Sequence, residues 1–298
     1  MLGGLVVLTK TFLNSCEHWS EKYVEEMHNF YKLANLDYAK LANSLNWADV
    51  FRRIRGKLGT ESLEILDVAC GSGMFPTALQ RVLSEKDKLA TINYSLLDPS
   101  KFAIDETKKK LIPPFRLSKE FKIRLQDFNC VDVFHISWAI HALYAVPKNE
   151  LKVSLEKFYS SFKEIGFIAH ACSDAHYIKF YNLYIQDCHN GALPAFCSAE
   201  DILEIFDLLG IKYDVQYIEY INTAEYHDNL TVEAYLQRCL FDDTISLSDM
   251  REIRFNWQLF RFLLFDREMV VSAKSRFNRI EKVFWLMCLE MKVVSIGN

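Results

Sequence analysis

The chain has 298 residues, of which 50% are hydrophobic and 14% aromatic, and its formal net charge is −4. This length and composition suit one large α/β domain with additions, or two small domains. The acidic balance argues against a nucleic-acid-binding protein, which usually carries a basic face. No apolar run reaches the roughly 18–20 residues of a membrane span, which argues against a membrane protein.

The eight cysteines are scattered along the chain, and none belongs to a Cys-x-x-Cys pair. The spacing therefore indicates neither a zinc site nor a disulfide framework, and a reducing, cytoplasmic location fits best. The apolar start, Met1 to Leu8, lacks a basic segment and a small-residue cleavage site. We interpret it as a buried or ragged end rather than a signal peptide.

Residues 17–55 have the pattern of broken helices. Large side chains recur there at spacings of three and four, which gives a stripe formed by Trp19, Tyr23, Met27, Phe30 and Tyr31. Asn46 is placed to cap a further helix that stops near Gly56 and Gly59. Because this segment precedes the first predicted strand, residues 1–60 are expected to form a helical cap over the ligand edge of a sheet. A purely structural helix pair is the alternative.

The most informative segment is residues 65–73, which read Ile-Leu-Asp-Val-Ala-Cys-Gly-Ser-Gly. A short apolar run ends there in a glycine-spaced turn, a helical pattern follows over 74–84, and a second apolar run stops at Asp98-Pro99. The turn lacks the Gly-Lys-Ser/Thr ending of a P-loop and the third glycine of the dinucleotide fingerprint. Such a unit binds a nucleotide-like ligand at the carboxyl edge of a parallel sheet.

Strand and helix patterns alternate along the rest of the chain. Near-continuous apolar strands separated by helices indicate a buried parallel sheet. The predicted strands are 63–69, 91–98, 122–126, 131–137, 166–172, 213–220 and 283–294. The predicted helices between them are about 74–84, 101–111, 150–163 and 198–209. Two aromatic-rich regions, 173–197 and 221–280, exceed this scaffold and follow strands, where loops can shape a pocket.

The glycine turn, the acidic end of the second strand and the strands that follow resemble class I S-adenosylmethionine-dependent methyltransferases. The resemblance implies a Rossmann-like α/β fold. Its sheet would have seven mostly parallel strands, the last one antiparallel, with flanking helices, an N-terminal helical cap and aromatic-rich lid insertions. We accordingly expect a cap at 1–60, a cofactor-binding core at 61–220, and a substrate-shaping insertion with the final strand at 221–298.

The same resemblance implies a site for S-adenosyl-L-methionine, with S-adenosyl-L-homocysteine as product. Gly71 and Gly73 would let the backbone approach the methionine part. Asp67 would orient the ammonium group, and Asp98 would accept both ribose hydroxyls. Ala69 stands where the family usually has glycine. The further expected cofactor contacts are Pro99, Asp127, Phe128, Ser137 and Ile140, with Asp127 at the adenine edge or, alternatively, only a turn residue.

Two segments, Asp98-Pro99-Ser100 and His141-Ala142-Leu143-Tyr144-Ala145-Val146, are shared with one group of small-molecule enzymes. From Tyr23 to about Val294 the layout resembles this group, the histamine N-methyltransferase family. The resemblance implies that His141 contacts the acceptor and that Asp37 holds an amine, and both are candidate catalytic residues. The alternatives are a helix-capping histidine and a solvated helix residue. Leu286 lies where that family has a polar residue, so the acceptor is expected to be larger and more apolar. The full expected acceptor set is Tyr23, Asp37, Trp138, His141, Tyr144, Tyr181, Phe196 and Leu286.

These features predict transfer of a methyl group to a small, largely hydrophobic acceptor, with an amine nitrogen of a natural product or alkaloid-like molecule favoured. The alternatives are an O- or C-methyltransferase on a natural-product intermediate, with His141 as base, and a non-catalytic methyltransferase-like binding protein. In the favoured reaction the protein mainly supplies alignment and desolvation. We expect a monomer or dimer with no metal, no nucleic-acid partner and no membrane partner.

Overall fold

The computed structural model describes residues 9–129, 133–225, 228–252 and 283–296, and for 219–225, 251–252 and 283–296 it describes the backbone alone. Helices alternate with parallel strands, as the apolar runs predict. The strands are β1 Leu63–Val68, β2 Ile92–Leu97, β3 Phe115–Phe121, β4 Phe134–Ile140, β5 Phe162–Ala171, β6 Asp214–Glu225 and β7 Val283–Ile296. Within the described residues no helix is both long and apolar enough to cross a membrane.

Four helices precede the sheet, and the others connect its strands or follow β6. Those before it are α1 Lys10–His18, α2 Val24–Leu33, α3 Leu36–Ser44 and α4 Trp47–Leu58. Those after β1 are α5 Met74–Val82, α6 Glu85–Lys88, α7 Lys101–Lys110, α8 Lys148–Ser160, α9 His176–His189, α10 Ala199–Leu209, α11 Asn229–Leu240 and α12 Leu247–Glu252. Short 3₁₀ helices span Glu21–Tyr23 and Leu125–Asp127.

Helix ends follow the capping residues of the sequence. The Asn46 side chain accepts the backbone N–H of Asp49 at the start of α4, and Gly59 ends that helix with a φ of 62°. Ser198 and Asp201 form a reciprocal capping box at the start of α10, which Gly210 ends with a φ of 64°. The sequence prediction of both helices is confirmed.

The strands β1 to β5 form a parallel sheet in the order β3-β2-β1-β4-β5, and β7 and β6 continue it beyond β5. Side chains of β1 alternate between two buried clusters. Leu63 and Ile65 face the cluster that includes the N-terminal helices, and Leu66 and Val68 face the one that includes α8 and α10. Both faces are covered, which is typical of a parallel sheet in an α/β protein.

The prediction of the third strand at 122–126 is wrong. The strand is β3, Phe115–Phe121, and Leu125 begins a 3₁₀ turn. β3 is an edge strand in which five consecutive residues after Phe115 are exposed. It therefore lacks the apolar run that marks a buried strand. The fourth strand is also shifted, from 131–137 to Phe134–Ile140, and residues 130–132 lie outside the described residues.

The final strand was expected to be antiparallel, and this is wrong. β7 runs parallel to both β5 and β6. Antiparallel neighbours need only a short hairpin, whereas parallel ones need a crossover of a dozen or more residues. Here β6 ends at Glu225 and β7 begins at Val283, and α11 and α12 lie in the connection. That connection is long enough for the chain to return to the end of the sheet at which β6 begins, so that β7 can run parallel to β6.

Candidate functional site

A cavity lies at the carboxyl ends of β1, β2 and β4, between the sheet and the N-terminal helices. The cavity has a volume of about 180 Å³, counted as the space that the centres of water molecules can reach. Open parallel sheets bind their ligands at this edge. Of the predicted cofactor residues, the cavity wall includes Asp67, Ala69, Gly71, Asp98, Pro99 and Ile140.

The turn after β1 is held in an unusual backbone conformation. Ala69, Gly71 and Gly73 have φ values of 52°, 53° and 70°. Gly73 does not line the cavity. A Cβ there would approach the Cα of Thr107 to 3.1 Å, so this glycine permits close packing on α7. The Thr107 hydroxyl donates to the backbone carbonyl of Gly71 at 2.9 Å and thereby attaches the turn to α7.

Asp98 joins the tip of β2 to this turn. Its carboxylate accepts the backbone N–H of Gly71 at 3.2 Å and that of Ser100 at 2.8 Å. The side chain is buried, and burial raises its pKa to about 6, against the opposing effect of the two backbone donors. The two bonds hold the carboxylate at the cavity wall, where it can accept further donors from a ligand.

Asp67 lies at the end of β1, deeper in the same cavity wall. Its Oδ2 accepts the Tyr94 hydroxyl at 2.6 Å, and Trp138 Nε1 donates to the Tyr94 oxygen at 3.1 Å. Burial raises the pKa of Asp67 to about 7, the Tyr94 bond lowers it, and the charge of Asp98 raises it. Two buried carboxyl groups with raised pKa values favour a ligand that brings positive charge.

Asp127 and Phe128 do not reach the cavity. Asp127 is exposed, and Arg124 binds its carboxylate through Nε at 2.8 Å and Nη2 at 3.0 Å. Phe128 is buried against Phe121 instead. The neighbouring Leu125 and Gln126 line the cavity, as does Arg124. Sequence reasoning missed these three because it placed a strand over 122–126.

A polar group formed by Asp37, His141 and Tyr144 lines another part of the cavity. Asp37 is only 3% exposed, which contradicts its alternative interpretation as a solvated helix residue. Its Oδ2 lies 3.1 Å from His141 Nε2, and its Oδ1 accepts the backbone N–H of Tyr38. His141 Nδ1 lies 3.0 Å from the Tyr144 hydroxyl oxygen, which also accepts the backbone N–H of Ala171.

His141 follows β4 directly and has a φ of 54°, a conformation uncommon outside glycine. Its backbone N–H donates to the carbonyl of Ala169 on β5 at 2.9 Å. The Tyr144 oxygen accepts from Ala171, so its own proton is available to His141 Nδ1. His141 Nε2 lies near Asp37 Oδ2 but makes no hydrogen bond with any described residue, so it is open to a ligand in the cavity.

The other predicted acceptor residues lie elsewhere. Tyr23 is not part of the cavity wall, and Trp138 is fully buried beneath it. Tyr181 and Phe196 are buried and stack on each other with ring centroids 3.5 Å apart, also outside the wall. The predicted cofactor residue Ser137 is buried within β4. Leu286 lies in β7, which is described by its backbone alone, so its predicted role stays a prediction.

Several cavity residues were not predicted as site residues. They include Trp19, Tyr31, Tyr38, Tyr177 and Arg238. Trp19 and Tyr31 belong to the aromatic stripe of the N-terminal segment, which was a usable signal. No signal in the sequence pointed to Arg238, because a single arginine in a helix is normally exposed. Among the described residues, no group of three His, Cys, Asp or Glu side chains is placed to hold a metal ion.

No protein-family model and no curated protein sequence matches the chain. Solved structures do match. Magnesium protoporphyrin IX methyltransferase (ChlM) from Synechocystis PCC 6803 with bound SAH is 12% identical, with a TM-score of 0.45 over 69% of this chain and 91% of that chain. The plantazolicin methyltransferase BpumL in complex with SAH is 12% identical, with a TM-score of 0.43 over 88% and 96%. The N-methyltransferase NodS from Bradyrhizobium japonicum WM9 is 12% identical, with a TM-score of 0.35 over 58% and 74%.

Proposed function

We propose that the chain is an S-adenosylmethionine-dependent methyltransferase that acts on a small, largely hydrophobic acceptor. The observation that carries this proposal is the buried carboxylate of Asp98 at the tip of β2, which accepts the backbone N–H groups of Gly71 and Ser100. It lies beside a turn with three positive φ values at the carboxyl edge of a parallel sheet. A carboxylate at that place suits a ribose diol.

The chemistry of the donor set fits this cofactor. Each Asp98 oxygen has one backbone donor and keeps lone-pair capacity for a ribose hydroxyl. Asp67 would hold the ammonium group, since its carboxyl group has a raised pKa and lies among buried neighbours. When bound, the cofactor supplies a sulfonium methyl group that is already activated for displacement. The sequence assigned Asp127 to the adenine edge of the cofactor. Arg124, Leu125 and Gln126 line the cavity instead.

The protein's own contribution is to align and desolvate the acceptor. The buried carboxylate of Asp37 would accept an N–H of an amine, and the nearby His141 and Tyr38 rings would exclude water. The contact between Tyr144 and His141 fixes the imidazole beside Asp37. Because the buried carboxyl group of Asp37 can accept an amine N–H, we favour an amine nitrogen over an oxygen or carbon atom.

Titration calorimetry with S-adenosylmethionine tests the cofactor. Asp98→Asn should weaken binding about tenfold or more, because a hydrogen bond to a charged acceptor contributes roughly 1.5–3 kcal/mol. The matched control is Asp207→Asn, on the opposite face of the sheet, whose carboxylate accepts the Tyr213 hydroxyl. Equal affinities in the wild type and in Asp98→Asn would contradict the assignment. Failure of any methyl transfer despite tight binding would favour a methyltransferase-like binding protein.

A labelled-methyl assay over amines, phenols and acids tests the acceptor atom. With an amine acceptor, Asp37→Asn should raise KM about tenfold while the affinity for the cofactor stays within twofold, since a buried charge-assisted hydrogen bond to the acceptor is lost. Methylation of phenols or acids alone would instead establish the O-methyltransferase alternative. An unchanged KM in Asp37→Asn would remove Asp37 from the acceptor site.

We also propose the division expected from the sequence, with a cap at 1–60, a cofactor-binding core at 61–220 and a substrate-shaping region at 221–298. The position of α1 and α2 along the cavity supports the first part of it. A cytoplasmic location is proposed from the scattered cysteines. Six of them (Cys16, Cys70, Cys172, Cys188, Cys197 and Cys239) form no disulfide bond in the described part of the chain.

A further inference from the structure

Arg238, on α11, places a buried positive charge at the cavity wall. The side chain is only 2% exposed. Its Nη1 donates to the carbonyl of His18 and its Nη2 to the carbonyl of Tyr23, each at 3.0 Å. Its Cζ lies 4.8 Å from the ring centroid of Trp19. The Nε atom is buried and has no hydrogen-bond partner among the described residues.

No carboxylate oxygen of the described side chains lies within 4 Å of the Arg238 nitrogens. Asp243 and Glu26 attract the guanidinium from farther away, and Asp243 is bonded to His18 Nδ1 at 2.6 Å. Burial lowers the pKa of Arg238 to about 10, so the group stays protonated at neutral pH. A desolvated cation is costly unless an anion faces it.

Aromatic rings connect Arg238 to the acidic group at Asp37. The Trp19 ring lies 6.1 Å from that of Tyr31, which lies 6.2 Å from that of Tyr38. The Tyr38 ring in turn lies 5.5 Å from that of His141. The cavity therefore has a cation at one end of an aromatic wall and an anion at the other. A flat apolar molecule with an amine and an acid group would match this arrangement.

We propose that Arg238 binds a carboxylate group of a molecule in the cavity, through the planar fork of its N–H donors. The proposal rests on the proposed function in one respect, namely that S-adenosylmethionine is a second ligand of the same cavity. The carboxylate has two possible sources, the acceptor and the amino-acid part of S-adenosylmethionine. An arginine suits this role because its donors match the two carboxylate oxygens.

Two pairs of probes distinguish the sources, each measured by titration calorimetry. Benzoate and benzamide are titrated into protein saturated with S-adenosyl-L-homocysteine. S-adenosylmethionine and its decarboxylated analogue are titrated into ligand-free protein. If the acceptor supplies the carboxylate, benzoate should bind about tenfold or more tightly than benzamide. If the cofactor supplies it, the decarboxylated analogue should bind about tenfold or more weakly than the parent. Equal affinities within both pairs would overturn the proposal.

Variants tie the preference to Arg238. Arg238→Gln should abolish the preference for the carboxylate probe. Arg55→Gln should keep it, because Arg55 also donates to two backbone carbonyls, those of Ala90 and Thr91, but lies outside the cavity. A preference that survives in Arg238→Gln would overturn the proposal. If that variant does not fold, Arg238→Lys decides, since a single ammonium cannot reproduce the fork and an unchanged preference would count against it.

A failure of the proposed function can be distinguished from a failure of the carboxylate site. If neither form of S-adenosylmethionine binds, benzoate and benzamide are titrated into ligand-free protein. A benzoate preference that Arg238→Gln removes would then keep the carboxylate site while the methyltransferase assignment falls. No preference in that experiment would overturn the carboxylate site as well.

Discussion

At the scale of single residues, Ala69 occupies a position that suits glycine better. Its φ of 52° lies in the left-handed region, where a Cβ is strained by about 1–2 kcal/mol. Its backbone N–H nevertheless donates to the carbonyl of Leu97 at 2.7 Å and ties the turn to β2. The sequence identified this position as a departure from the resembling family, and the backbone shows what the departure costs.

We expect Ala69→Gly to raise the free energy of unfolding by up to about 1 kcal/mol, because relief of strain exceeds the entropy that glycine adds to the unfolded chain. Chemical denaturation measures this. Ala39→Gly, at an exposed position of α3, is the control and should lower stability by about 1 kcal/mol. If both variants lose stability to a similar extent, Ala69 is not strained.

At the scale of elements, α1 is attached to the rest of the molecule by a few long-range polar contacts. The Thr11 hydroxyl lies 3.0 Å from that of Tyr181 on α9, and both side chains are buried. The Ser100 hydroxyl donates to the carbonyl of Trp19 at 2.6 Å, just beyond the end of α1. Because α1 lines the cavity, these contacts hold one part of the cavity wall in place.

Tyr181→Phe should increase amide hydrogen exchange in α1 by about 2–10-fold, because one buried hydrogen bond contributes a net 0.5–1.5 kcal/mol. Exchange followed by mass spectrometry measures this. Tyr213→Phe serves as control, since it removes a hydroxyl bond to Asp207 far from the cap. Equal exchange in α1 for both variants would show that the Thr11–Tyr181 contact does not hold the helix.

At the scale of the whole molecule, two buried carboxyl groups make stability depend on pH. Asp67 and Asp98 have folded pKa values of about 7 and about 6, above the usual 3.8. Between the usual and the raised values the folded chain binds more protons than the unfolded chain. The free energy of unfolding therefore falls as pH rises through this window and levels off above about pH 7.

We expect the ligand-free protein to lose stability on the order of a few kcal/mol between about pH 4 and pH 7 through these two groups. Asp67→Asn should be more stable than the wild type at pH 8 and should lose that advantage at pH 4, because the wild-type carboxyl is then neutral. Thermal unfolding across pH measures this, with Asp207→Asn as control. An advantage independent of pH would show that ionisation of Asp67 is not its cause.

The sequence by itself determined the features that depend on neighbouring residues. Asn46 and Gly59 bound α4 because capping acts over one turn. Asp98 follows β2 directly because the apolar run of that strand stops there. β3 escaped prediction because an edge strand has no continuous apolar run.

Only the tertiary structure decided the features that depend on distant residues. Asp37 and His141 are more than a hundred residues apart in the chain, and so are Arg238 and the carbonyl of His18, yet each pair meets at the cavity wall. The parallel direction of β7 likewise depends on how the whole chain packs and not on the residues of the strand itself. Local patterns report propensity and burial, whereas the partner of a buried charge is fixed only when the whole chain packs.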